Sequence, residues 1–163
     1  MAAPAPATLF RSATVSKITV VAMAATIVVI VGTFFTTGFL VPAARYGLGL
    51  GAAWLVLAVI ILWNFYRLEV TFDGRRITLR YGLFAKRVLA DDVLEIAPCD
   101  ISWWRYGGVG IRKGRNGWAW ITGSGPGVRI TTAKTNYFAN CERAETLIML
   151  VNNYRGGAAG SRK

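Results

Sequence analysis

The chain has 163 residues, 54% of them hydrophobic, and its 19 lysines and arginines against 8 acidic residues give a formal net charge of +11. It contains no histidine, which excludes Ser-His and Cys-His catalytic arrangements and every zinc site that uses histidine. All acidic residues follow position 66, so an apolar N-terminal part precedes a basic, polar C-terminal part.

The first 66 residues combine a short tail with two long apolar runs. Residues 1–16 are rich in Ala, Pro and Ser, which is typical of a disordered tail. Neither run carries a charge, so we expect helices over about 18–41 and 47–66 within the region 17–66. Since about 20 apolar residues cross a hydrocarbon core of roughly 30 Å, the sequence predicts a two-helix transmembrane hairpin. A cleaved signal peptide is the alternative, but its apolar core of about 7–15 residues would be shorter than the first run.

Basic residues lie mainly at the outer ends of the two runs rather than between them. Arg11 and Lys17 precede the first run and Arg67 follows the second, whereas only Arg45 lies between them. Because cytoplasmic segments carry the excess of Lys and Arg, we expect a multi-pass protein of the plasma membrane with both termini in the cytoplasm. The oligomeric state is left open, since a glycine pair in the second run suits packing within the hairpin or between protomers.

After Tyr66 the hydrophobic pattern alternates between successive residues, which is typical of β-strands. Asp73 and Gly74 form a hairpin turn signal between the first two strands. The pattern predicts seven strands, over residues 67–73, 75–81, 84–89, 93–97, 118–122, 127–132 and 135–140. These short strands indicate a mainly-β barrel or sandwich.

The end of the chain changes to a helical period. Ala144, Leu147, Ile148 and Val151 share one face, which predicts an amphipathic helix that closes the β-rich domain. Asn140 is the expected N-cap of this helix. The β-rich domain and its closing helix are thus expected over 67–153, followed by a disordered tail over 154–163.

Three features of the C-terminal part resemble a known family: the run FDGRRITLRYGLFAKRVLADDVLEI, the run RYGGVGIR after Trp103 and Trp104, and the final helix. Together they resemble the membrane-anchored bacterial proteins with a pleckstrin-homology-like (PH-like) domain, of the actinobacterial type. The resemblance covers about residues 67–153. It implies a PH-like fold beside one or two membrane spans, in a group whose domains in general bind phosphoinositides or peptides.

The sequence shows no constellation typical of an enzyme. Asp91, Asp92 and Glu95 suit either solvated turn acids or a metal site, and their place before a strand favours the turn. The glycine-rich segment 123–127 lacks the Lys-Ser/Thr that follows a phosphate-binding loop. The two cysteines are isolated and are expected to be reduced and buried. We therefore expect a non-enzymatic protein without a metal ion or cofactor.

The candidate site lies in the loop predicted over 102–116, which contains no acidic residue. Its aromatic and basic residues are Trp103, Trp104, Arg105, Tyr106, Arg112, Lys113 and Arg115. Lys and Arg near an anionic leaflet contribute about 1 kcal/mol each, and Trp and Tyr favour the headgroup level. The loop therefore predicts contact with anionic membrane lipids at the inner leaflet. Docking of another membrane protein is the alternative, and a nucleic-acid role is not expected because the lipid surface accounts for the same charge.

Overall fold

The computed structural model describes residues 8–40 and 45–160, with side chains described outside 34–53, 55 and 157–160. The elements in chain order are β1 (Phe10–Val15), α1 (Lys17–Leu40), α2 (Arg45–Asn64), β2 (Arg67–Phe72), β3 (Arg76–Tyr81), β4 (Phe84–Leu89), β5 (Val93–Ile101), β6 (Gly110–Gly114), β7 (Gly117–Ile121), β8 (Gly125–Thr132), β9 (Asn136–Asn140) and α3 (Ala144–Gly160). Two short 3-10 turns, Ala90–Asp92 and Trp103–Tyr106, flank β5.

The strands form two sheets. Sheet 1 has the order β1-β2-β3-β4 and is antiparallel throughout, with Phe10 opposite Phe72 and Leu68 opposite Tyr81. Sheet 2 has the order β5-β8-β9-β7-β6, and within it β7 and β9 run parallel with Trp118 opposite Tyr137. The strands β4 and β6 are therefore edge strands of their sheets.

One hydrophobic core fills the space between the sheets. Every second residue of β2 and β3 is buried, as expected for strands with one face inward. The helix α3 adds Ala144, Leu147 and Val151 to this core, at the spacing of one helical face. The largest fully buried side chains are Tyr81, Phe72, Leu68, Ile77, Leu79, Ile121, Ile130 and Leu147.

A second, smaller cluster lies on the other face of sheet 2. Ile101, Ala119 and Ile121 are its buried members, and the 3-10 turn after β5 covers them with Trp103 and Tyr106. The segment before β6 is therefore folded back against its own sheet.

Four elements differ from the sequence-based expectations. The strand β5 continues through Pro98 to Ile101, beyond its predicted end at residue 97. The strand β1 lies within the segment 1–16 that composition assigned to a disordered tail, and β6 lies within the predicted loop 102–116. The helix α3 continues to Gly160, beyond the predicted end at residue 153. Residues 1–7 and 161–163, also predicted as tail, lie outside the described residues.

Contacts across the chain hold β1 in place. Arg11 donates a hydrogen bond of 2.6 Å to a carboxylate oxygen of Glu69 on β2. The guanidinium of Arg143, just before α3, donates to the carbonyl oxygen of Arg11 and lies over the ring of Phe10. At the other end of β1, the Ser16 hydroxyl accepts a hydrogen bond of 3.2 Å from the backbone N–H of Thr19 and caps α1.

The predicted transmembrane hairpin is contradicted. Helices α1 and α2 are present, but within the described part of the chain no helix is long and apolar enough to cross a bilayer. The expected fold class, a membrane hairpin joined to a PH-like domain, is therefore wrong, and the described fold is mainly two β-sheets with a C-terminal helix. The expected multi-pass location with cytoplasmic termini is wrong for the same reason.

Candidate functional site

The centre of the candidate site is the 3-10 turn Trp103–Tyr106, which directly follows β5. It ends at Gly107, whose φ of +75° is the left-handed conformation that glycine adopts without strain. The backbone N–H of Gly108 then donates a hydrogen bond of 2.9 Å to the carbonyl oxygen of Trp103. This bond, together with one of 3.2 Å from the Gly107 N–H to the carbonyl oxygen of Trp104, fixes the backbone of the turn that presents these side chains.

Trp103 and Trp104 stack on each other but differ in exposure. Their ring centroids are 4.0 Å apart, with an angle of 28° between the ring planes. Trp103 is partly buried against the second cluster, on the outer face of sheet 2, whereas Trp104 is 75% exposed. Trp103 therefore anchors the pair, and Trp104 presents its ring to the surroundings.

Tyr106 has a structural role on the same face. Its ring contacts Phe138 of β9 with a centroid distance of 5.7 Å. Burial raises the pKa of the Tyr106 phenol above its usual value, so the side chain stays neutral at physiological pH. Of the four residues in the turn, Trp104 and Arg105 are the two that are exposed.

The structure divides the remaining predicted site residues between two faces. Arg112 lies opposite Ala119 in the β6–β7 ladder, on the face of sheet 2 that carries the second cluster, and its guanidinium lies close to Gly108. Lys113 lies on the opposite face of β6, with its ammonium 5.9 Å from the ring centroid of Trp118. Arg115 lies in the exposed turn between β6 and β7.

The arginines of the candidate site are free of salt bridges within the described part of the chain. The ion pairs found there join Arg11 and Arg67 to Glu69, and Arg129 to Glu95. Arg105, Arg112 and Arg115 take part in none of them, and all three are exposed. Their charges are therefore directed to solvent or to a ligand rather than to an internal carboxylate.

The acidic residues considered as a metal site are dispersed. Glu95 accepts a hydrogen bond of 3.0 Å from Arg129, while Asp91 and Asp92 are exposed in the 3-10 turn before β5. Among the described residues, no group of three or more potential ligands could hold a metal ion. The glycine-rich segment 123–127 runs from the β7–β8 connection into β8, and the carbonyl oxygen of Pro126 accepts a hydrogen bond from the Asn140 side chain.

The cysteines occupy separate places in the fold. Cys141 is buried beside Ser12, and Cys99 is half-buried on the outer side of sheet 2. Burial raises the pKa of both thiols, which favours the protonated, unreactive form.

Sequence reasoning missed a groove between β4 and the β6–β7 hairpin, with a volume of about 340 Å³. Its lining residues are Phe84, Ala85, Lys86, Ile111, Trp118, Trp120 and Tyr137. The alternation of Trp118 and Trp120 indicates that the two indoles share a face of β7, but no pattern in the sequence places β4 opposite them. A larger apolar cavity of about 700 Å³ lies where the end of α2 meets sheet 1, between Trp63, Tyr66 and Leu83.

No protein-family model, curated protein or solved structure matches this chain. The resemblance to bacterial PH-like proteins is therefore untested by these comparisons and stays a prediction.

Proposed function

We propose that the protein is a non-catalytic binding module whose face around Trp104 contacts anionic lipid headgroups at a bilayer surface. The observation that carries this proposal is the 75% exposure of Trp104, whose ring is held in place by stacking on Trp103. A large exposed indole on a rigid turn suits the headgroup level, where the ring is partly apolar and its N–H remains hydrated. The contact concerns this face of the β-rich domain alone.

The charge around Trp104 supports an anionic ligand. No acidic residue occurs between Ile101 and Cys141, so the segment that forms this face carries only positive charges. Arg105, Arg112 and Arg115 supply guanidinium groups, which bind phosphate oxygens through two parallel hydrogen bonds. A phosphate-bearing surface therefore complements this face in both charge and geometry.

The expected strength is moderate. Each arginine close to an anionic surface contributes about 1 kcal/mol, so three together contribute about 3 kcal/mol, which is roughly a 100-fold change in affinity. Exposed charges are screened over a Debye length of about 8 Å at physiological salt. Binding is thus expected to weaken strongly as the salt concentration rises.

The test uses the full-length chain and vesicles that contain either phosphatidylcholine alone or phosphatidylcholine with phosphatidylglycerol. Apolar side chains of α1 and α2, such as Val28 at 70% exposure, can attach the chain to either vesicle. The readout is therefore the ratio of the two affinities, measured by flotation. We expect the wild type to bind anionic vesicles at least tenfold more tightly, with a ratio that falls towards one in high salt.

A matched pair of charge-reversal variants locates the contact. The variant R105E/R112E/R115E is expected to lose the preference for anionic vesicles. The control R75E/R76E/K134E changes the net charge by the same amount at three other exposed positions, which lie just before β3, at its first residue and in the β8–β9 connection. It should retain at least a third of that preference. Equal affinities of the wild type for both vesicles, or equal losses in the two variants, would overturn the proposal.

A further inference from the structure

The groove between β4 and the β6–β7 hairpin lies at the open seam between the two sheets. Its volume of about 340 Å³ falls within the range of ligand pockets, which is roughly 300–1,000 Å³. Because β4 and β6 are edge strands, no further strand closes this seam in the described part of the chain. The groove therefore opens to the surface along its length.

The register of the β6–β7 hairpin determines which side chains form one wall. Ile111 lies opposite Trp120, and Lys113 lies opposite Trp118, so these four side chains share one face of the hairpin. Trp118 is in turn opposite Tyr137 on β9. The other wall consists of Phe84, Ala85 and Lys86 on β4.

Two ammonium groups lie near the aromatic residues of the groove, that of Lys86 among the lining residues and that of Lys113 beside Trp118. The Lys86 nitrogen is 5.6 Å from the ring centroid of Tyr137, and the Lys113 nitrogen is 5.9 Å from that of Trp118. Neither lysine forms a salt bridge with a described residue, and no acidic residue lines the groove. Cation–π contacts contribute only about 0.5–1 kcal/mol at exposed sites, so an anion can recruit both ammonium groups at small cost.

A buried donor without an acceptor lies in the same place. Trp120 is only 5% exposed, and its indole N–H has no hydrogen-bond partner among the described residues. A buried donor left unpaired costs about 1–3 kcal/mol. The nitrogen itself has almost no exposed surface, so a ligand oxygen that accepts this hydrogen bond and recovers that free energy must displace the side chains that cover it.

We propose that this groove binds a small anion with a flat apolar body, in which a carboxylate or phosphate is joined to a ring system. The ring packs against Phe84, Trp118 and Tyr137, and the anionic oxygens attract Lys86 and Lys113. An oxygen of the ligand accepts the hydrogen bond of the Trp120 indole. This site uses none of the arginines around Trp104, so it stands independently of the lipid contact.

The test follows the indole N–H signals of the full-length protein by proton–nitrogen correlation NMR. The chain has six tryptophans, and single Trp→Phe substitutions at positions 104, 118 and 120 assign the indole signals of these three residues. The probes are 1-naphthoate, 1-naphthyl phosphate and the uncharged 1-naphthamide. We expect the first two to shift the Trp118 and Trp120 signals saturably, with the Trp104 signal unchanged. The amide should bind at least tenfold more weakly, and the two anions together show whether carboxylate or phosphate is preferred.

Neighbouring residues of β4 provide a matched control. Lys86→Gln removes a charge inside the groove, whereas Arg87→Gln removes the same charge on the opposite face of the strand. We expect Lys86→Gln to weaken naphthoate binding about tenfold and Arg87→Gln to change it less than twofold. Equal effects of the two substitutions, equal binding of the amide, or uniform shifts of all indole signals would overturn the proposal. If the protein failed to prefer anionic vesicles but still showed these shifts, the proposed lipid contact would be contradicted and the groove proposal would stand.

Discussion

The phenol of Tyr81 on β3 donates a hydrogen bond of 3.1 Å to the carbonyl oxygen of Ile121 on β7. Tyr81 is fully buried, and this bond joins sheet 1 to sheet 2 through the core. Burial raises the pKa of the Tyr81 phenol, because the charged phenolate is poorly solvated there. The phenol therefore remains a hydrogen-bond donor across the neutral and mildly alkaline range.

Removal of this donor tests its contribution to stability. Tyr81→Phe is expected to lower the free energy of unfolding by about 1–2 kcal/mol, because the bond is lost while the ring still fills its space. Tyr154→Phe is the control, since the Tyr154 ring keeps its edge contact with Phe72. Urea titrations should show a change below about 0.5 kcal/mol for the control. Equal effects of the two substitutions would contradict a sheet-to-sheet role for Tyr81.

Glu69 predicts a dependence of stability on pH. Its carboxylate accepts the hydrogen bond from Arg11 and also lies 3.1 Å from Arg67, and these contacts hold its pKa below the usual value. The unfolded chain has the higher pKa of about 4.3, so the charged carboxylate stabilises the fold fully above that pH, and the contribution is lost as the pH falls from there through the lowered pKa of the folded state. Between pH 6 and pH 3 the wild type should lose more stability than Glu69→Gln, measured by urea midpoints. Parallel curves for the two proteins would contradict this.

The strands that the sequence predicts best are those with strict alternation. The strands β2 and β3 begin and end within two residues of their predicted limits, because Leu68, Val70 and Phe72 alternate with polar residues around a strong turn signal. The periodicity of the closing helix likewise places Leu147 and Val151 in the core. Local sequence patterns predict an element correctly where its apolar residues are buried and its polar residues are exposed.

Other elements depend on partners that lie far away in the chain. The strand β1 contains Ser12, Ala13 and Thr14, and it is a strand because it pairs with β2 across 58 residues of sequence. In the groove, Lys86 and Trp120 meet only because the two sheets pack together. The hydropathy of residues 17–66 identified apolar helices correctly, but hydropathy alone led to the contradicted prediction of membrane spans.

Gly82 lies in the β3–β4 turn, where its backbone closely approaches Asn64 at the end of α2. Its φ is +53°, and a Cβ at this position would overlap the side-chain oxygen and the backbone carbonyl of Asn64. The same side-chain oxygen accepts a hydrogen bond of 2.8 Å from the backbone N–H of Leu83. Gly82→Ala is therefore expected to lower the free energy of unfolding by about 3 kcal/mol, from strain and displacement of Asn64 together. Thermal and urea unfolding measure the effect.

Gly107 provides the control for that prediction. It also has a positive φ, of +75°, but a Cβ there would meet no atom within 4 Å. Gly107→Ala should thus cost only the backbone strain, about 1 kcal/mol. If the two alanine variants were equally stable, the contact between Asn64 and the turn would not contribute to the fold.

The stacked pair in the candidate site predicts opposite outcomes for adjacent residues. Trp103 packs against the outer cluster of sheet 2, so Trp103→Ala should lower the free energy of unfolding by about 1–2 kcal/mol. Trp104→Ala removes a ring that is 75% exposed and should change stability by less than about 0.5 kcal/mol. In the flotation assay, however, Trp104→Ala should weaken binding to anionic vesicles at least threefold. The Trp104→Ala substitution is expected to leave the fold intact. If this variant bound vesicles like the wild type, the exposed indole would not take part in lipid contact.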